Sequence, residues 1–148
     1  AQLAKLVAIY SPWQFVYWYD RPEKSPSRAG GAGSAESVIK TDAATKFYNS
    51  IPTVWDDTRF MDGKMGEYAV VARRSGSDWY ISILNAGDKR QVTLPLDFLK
   101  DTSACEATLY YQAPGKKKDV VSIKTIKLQS SLVLDVEANS GCVLHLTR

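Results

Sequence analysis

Ile51-Pro52-Thr53-Val54-Trp55-Asp56-Asp57-Thr58 is the point at which the pattern of this chain changes. Before it, apolar residues recur at helical spacing or gather in one unbroken run. After it, from Glu67 onward, they alternate with polar residues at a period of two. The first pattern belongs to helices and a buried strand, the second to half-buried antiparallel strands. The stretch is therefore the seam between a helix-rich front and a strand-rich back.

Working upstream, Ala35 to Ser50 carries Val38, Ile39, Phe47 and several alanines at roughly helical spacing, which predicts a helix. Ser34 is its candidate cap, although Ser37 stands where a capping box wants Glu or Gln. From Glu23 to Ser34 the chain holds Pro26, Gly30, Gly31 and Gly33 among Ser, Arg and Lys, a composition that cannot offset its ordering entropy. Residues 23–34 are expected to form a mobile loop. The Gly30-Gly31-Ala32-Gly33 run matches neither a dinucleotide nor a phosphate-loop spacing. Trp13 to Tyr19 is uniformly aromatic and apolar, the pattern of a strand buried on both faces, and it ends at Asp20-Arg21-Pro22. Leu3, Leu6, Val7 and Tyr10 predict a first helix, broken at Ser11-Pro12. That helix starts without a cap, so the chain is expected to begin inside an element of a longer protein.

The order helix, buried strand, helix, extended segment is the grammar of βα units, which needs a parallel sheet. The residues up to Thr58 cannot close a (β/α)8 barrel, which takes ~250 residues. Residues 1–62 are accordingly expected to be the C-terminal end of such a barrel. Downstream, strands are expected at Glu67 to Arg73, Trp79 to Asn85, Arg90 to Leu94, Ala104 to Tyr111, Val120 to Leu128, Ser131 to Val136 and Cys142 to Thr147. Turn signals at Ser75-Gly76-Ser77-Asp78, Ala86-Gly87-Asp88, Pro114-Gly115 and Asn139-Ser140-Gly141 separate many of them. Short strands so spaced read as an antiparallel β-sandwich over 63–148, and the fold class is mixed. Trp79, Tyr80, Tyr110 and Tyr111 are expected to form its contact face towards the front.

A chain of 148 residues, 45% apolar and 24% charged, has ordinary globular composition and can bury a core. Its net charge of +3 is spread out apart from Lys116-Lys117-Lys118, which is too short for a nucleic-acid groove and reads as a solvated hairpin tip. No window reaches the ~18 apolar residues of a membrane span, so neither nucleic acid nor membrane is an expected partner. Cys105 and Cys142 fall in different strands; spacing leaves open whether they bridge or stay as thiols. No metal-ligand spacing of the CxxC or HExxH kind occurs.

The words PTVWDDT, DGKMGEY, VVARR and DWYISILN, in that order, closely resemble the end of the barrel and the C-terminal sandwich of glycoside hydrolase family 97. The resemblance runs from about Leu3 to the end and is most specific between Ser11 and Asn85. It implies a bacterial exo-acting α-glycosidase, an α-galactosidase or α-glucosidase, periplasmic or secreted. It further implies that the catalytic acids and the ligands of a calcium ion lie upstream, so that this piece alone is inactive and binds no metal. The remainder of the barrel and an α-linked oligosaccharide or glycoside are the partners implied.

Glycoside hydrolysis needs two carboxyl groups facing each other across the scissile bond. Asp56 and Asp57 are neighbours, and neighbours on an extended segment point to opposite faces, so they are expected to be structural turn or helix-entry residues. Tyr17, Trp18, Tyr19 and Asp20 would follow a barrel strand to the active-site mouth, where aromatic planes stack on sugar faces. With Trp55, they are the substrate-binding candidates; the plain alternative is a packed core with Asp20 capping the loop. His145, the lone histidine, has no nucleophile motif beside it and is expected on the surface. Two functions remain: the C-terminal portion of a glycosidase, its sandwich supporting the barrel, or a carbohydrate-binding or interaction module without catalysis.

Overall fold

A computed structural model of the chain describes residues 1–11, 21–22, 38–39, 42–99, 105–116 and 120–148. Its centre is the last strand. Gly141–Thr147 (β10) has Cys142, Leu144 and Leu146 on one face and Val143 and His145 on the other, and residues 141–144 and 146 are all buried. A strand whose two faces are both dry needs a layer above and a layer below. The fold supplies them.

The strands after the seam are β3 (Asp57–Lys64), β4 (Tyr68–Ser75), β5 (Asp78–Asn85), β6 (Arg90–Pro95), β7 (Glu106–Tyr111), β8 (Ser122–Ile126) and β9 (Ser131–Val136). They follow two short strands in the front, β1 (Arg21–Pro22) and β2 (Val38–Ile39). One six-stranded antiparallel sheet runs β3-β4-β5-β10-β7-β8, and β6 pairs with β9 in a second layer. Between the layers lie Val70, Ala72, Ile81, Ile83, Leu94, Leu109, Leu134, Leu144 and Leu146. On the opposite face of the large sheet rest two helices, α1 (Gln2–Ala8) and α2 (Ala43–Ser50). Ala4, Val7, Phe47 and Ile51 pack there against Tyr80 and Val143. The domain is mostly antiparallel and sandwich-like, with the strands close to the bounds their alternation predicts.

Several expectations are corrected. Among the described residues no barrel is present; the front contributes the two helices on the sheet and one parallel pair, Arg21↔Val38 and Pro22↔Ile39. The helix expected from Ala35 starts at Ala43, and Val38–Ile39 upstream form a short strand, as β-branched residue types favour. Its cap is Asp42 in place of Ser34: the carboxylate accepts from the Thr45 amide at 2.9 Å and from the Thr45 hydroxyl at 3.1 Å. Residues 57–62, assigned to the front by pattern, belong to β3. An irregularity between Phe60 and Asp62 inserts Met61 and breaks the period of two that would have disclosed the strand. The expected strand from Trp13 to Tyr19 and the loop at 23–34 lie outside the described residues.

Gly141 lets α1 lie close. A Cβ built there would come within 2.7 Å of the Ile83 carbonyl oxygen and 2.9 Å of the Ala4 Cβ, with backbone on one side and a helix on the other. Gly141→Ala is expected to cost ~1–3 kcal/mol through that overpacking. Leu144→Ala, which empties the centre of the main core, is expected to cost ~2–5 kcal/mol. Urea unfolding midpoints measure both.

Candidate functional site

The seam residues converge where the helices meet the sheet. Alternation places Tyr80 and Tyr110 on the helix-facing side. Phe47 of α2 sits between them, with ring centroids 4.6 Å from Tyr110 and 6.3 Å from Tyr80. Trp55 meets Tyr80 edge-on at 5.3 Å. His145, across the ladder from Tyr80, stacks on its ring at 4.2 Å, and its Nε2 lies 3.2 Å from Asp78 Oδ2. The Phe47–Tyr80 and Trp55–Tyr80 contacts have the edge geometry that aromatic pairs favour.

Polar groups fasten the same junction. The hydroxyl of fully buried Ser82 donates to the Ala4 carbonyl at 2.7 Å, tying the middle of α1 to the sheet. Arg73 Nη2 donates to the Ala8 carbonyl at 3.1 Å, at the C-terminal end of α1 where a cation complements the helix dipole. Arg73 Nη1 donates to Thr58 Oγ1 at 3.3 Å. The guanidinium lies 5.4 Å from the Tyr10 ring centroid and 5.8 Å from that of Trp55. Only 5% of Arg73 is exposed, and burial lowers its pKa because desolvation penalises the charged form. Arg73 Nε and Trp55 Nε1 are both buried without a hydrogen-bond partner. Arg73 was not singled out by sequence reasoning; the signal was a charged residue continuing the apolar alternation Val70-Val71-Ala72 onto the face that meets the front.

The expected site residues separate. Tyr17, Trp18, Tyr19 and Asp20 lie outside the described residues. Trp55 is half-buried against Tyr80 and Arg73. The expected aromatic face is corrected by strand geometry: Trp79 and Tyr111 turn to the inter-sheet core, and Trp79 packs edge-on with Phe98 at 4.8 Å. His145 is corrected from a surface residue to a stacked one whose side chain is 16% exposed. Asp57 opens β3 and pairs with Arg59 at 3.1 Å, whereas Asp56 Oδ2 accepts from the Gly76 amide at 2.7 Å and staples the β4–β5 turn. Neither stands at a turn into a helix. Cys105 and Cys142 are thiols, not a bridge. Among the described residues no three of His, Cys, Asp and Glu gather as metal ligands, and no helix is long and apolar enough to cross a membrane.

A family profile described as "Glycosyl-hydrolase 97 C-terminal, oligomerisation" matches residues 54–147, from the seam to the last strand. The chain belongs to glycoside hydrolase family 97. It is 45% identical over 74 residues, half of its length, to a retaining alpha-galactosidase of Bacteroides thetaiotaomicron. It is 40% identical over 65 residues, or 44% of its length, to a probable retaining alpha-galactosidase of Streptomyces bingchenggensis. The chain spans 11% and 10% of these relatives' lengths. Among solved structures, a beta-arabinopyranosidase overlays 69% of this chain, and 16% of its own, at TM-score 0.59 and 30% identity. A family 97 enzyme from Pseudoalteromonas sp. strain K8, in complex with acarbose, overlays 99% of this chain and 22% of its own at TM-score 0.71; at 22% identity that likeness concerns fold alone.

Burial raises the pKa of Tyr80 to about 12 from 10.0 and that of the Cys142 thiol to about 12 from 9.0. Both groups hold their proton more tightly when folded. The stability this contributes is complete below the unfolded values and is lost as pH climbs from about 9 towards 12. Melting temperature is expected to fall across that window, and Tyr80→Phe to flatten the upper part of the fall. Native Cys142 is expected to resist thiol reagents until the domain unfolds, which mass-spectrometric labelling reads directly.

Proposed function

We propose that this chain is the C-terminal portion of a retaining exo-α-galactosidase, in which the sandwich buttresses the catalytic domain and joins copies of the enzyme. The activity comes from the two relatives named retaining alpha-galactosidases, and the joining of copies from the description of the matching profile. What carries the buttress role is the seam. Ser82 and Arg73 hold both the middle and the end of α1, and Phe47 keys α2 between Tyr80 and Tyr110, so both helices are fixed to the sheet. A free-standing sugar-binding module would instead keep its aromatics exposed, and here Tyr80 is 4% exposed.

In this reading a (β/α)8 barrel elsewhere in the polypeptide supplies the acid and the nucleophile. Retaining chemistry needs those carboxyls ~5–5.5 Å apart across the scissile bond, whereas Asp56 is held on the Gly76 amide and Asp57 pairs with Arg59. Tyr17, Trp18, Tyr19 and Asp20 would then contact the sugar, and a calcium ion and an exported location follow from the resemblance alone. The intact enzyme is expected to hydrolyse nitrophenyl α-galactoside faster than the α-glucoside with net retention by NMR, and the 148-residue chain to hydrolyse neither. A preference for the glucoside, or turnover by the short chain, would discard the reading. Trp18→Ala or Asp20→Ala is expected to lower kcat/KM at least ~10-fold with the fold intact.

A further inference from the structure

The open edge at β3 carries a pattern that fits itself. Of the two edges of the large sheet, β8 is five residues long and bears Lys124 alone among charged side chains, whereas β3 is eight residues long and bears four charges. Because Met61 is inserted at the irregularity, Asp57, Arg59, Asp62 and Lys64 stand opposite Arg74, Ala72, Val70 and Tyr68 and therefore share one face. Thr58, Phe60 and Gly63 share the other, opposite Arg73, Val71 and Ala69. The charged face thus reads minus, plus, minus, plus along the strand.

Laid antiparallel against a second copy with Phe60 opposite Phe60, this edge brings Arg59 opposite Asp62 and Asp57 opposite Lys64, each twice by symmetry. Sliding the strands by two residues in either direction sets Arg59 against Lys64 or against itself, and Asp62 against itself or Asp57, all like charges. One register is attractive and its neighbours repel, which is how an exposed edge excludes wrong partners. The charges now bond locally in exposed positions, Asp57 with Arg59, Asp62 with the Tyr68 hydroxyl and Lys64 with Glu67, contacts worth little in water and open to a second partner. Phe60, 70% exposed on the opposite face, would meet its equivalent at the two-fold axis.

Resting on the reading that this domain joins copies, we propose that the surface doing so is the β3 edge. Two chains pair there about a two-fold axis at Phe60 and extend the six-stranded sheet across the dimer. Such an interface is isologous, each residue meeting its complement from the other subunit.

Its test is a charge exchange in the intact enzyme, read by sedimentation velocity. Arg59→Asp alone sets Asp against Asp62, and Asp62→Arg alone sets Arg against Arg59, so each variant is expected to be monomeric, its dimer dissociation constant raised on the order of 100-fold. Mixed together, the two variants face each other with opposite charges at both positions and are expected to form a heterodimer. Melting temperature checks the fold; should Arg59→Asp misfold for want of its contacts with Trp79 and Phe98, Asp57→Lys and Lys64→Glu repeat the cycle on the outer pair. A dimeric wild type whose single variants stay dimeric, or whose variants do not combine on mixing, overturns the β3 assignment alone. A monomeric wild type overturns the joining of copies and the assignment with it. Hydrolysis of nitrophenyl α-galactoside is assayed separately, so failure of the enzymatic reading is told apart from either.

Discussion

Val143 and Leu144 are consecutive residues on one strand, point to opposite faces and are both fully buried, at 0% and 1% exposure. Everything else in the domain answers that constraint. A strand dry on both sides must lie inside its sheet and between two layers, and β10 accordingly lies between β5 and β7, with β6 and β9 below and the helices above. Withdrawing the helices would leave Val143, Tyr80 and Tyr110 uncovered together. The front is therefore part of the core, even though its chain pattern is that of a different architecture.

Close approach makes the junction specific. Gly141 and Ala4 present almost no side chain where α1 crosses β10, and the gap is narrow enough for Ser82 to reach a helix carbonyl. A buried hydroxyl without a partner is costly, so this bond fixes the position of the helix along the sheet as well as its distance. Arg73 does the same at the other end. It has no carboxylate partner among the described residues, and its charge is held by carbonyl and hydroxyl acceptors and by two aromatic faces. A buried guanidinium with one nitrogen unpartnered is a local cost that the surrounding packing must offset. It is accepted at the place where helix, seam and edge strand meet.

The same geometry separates two jobs. The helix-facing side of the sheet serves the connection to the front of the protein, and the outer edge at β3 remains open to other molecules. Membership of glycoside hydrolase family 97 sets both in context, since the matched segments are about a tenth of the length of the curated relatives.

By itself, the sequence determined the strands from Tyr68 onward, because alternation at a period of two is imposed by the pleat and by one dry face, and turn residues such as Gly76 and Asn139 mark where each strand stops. It did not disclose β3, whose period Met61 interrupts, or the start of α2, where Asp42 outcompetes Ser34 for the cap only once Val38 and Ile39 are drawn into a strand. Nor did it separate Tyr80 from Trp79, or give Arg73 and His145 their partners. Those assignments depend on which face of which strand meets which neighbour, and that is decided by contacts between residues as far apart as Ala4 and Ser82, across distances along the chain that no local pattern spans.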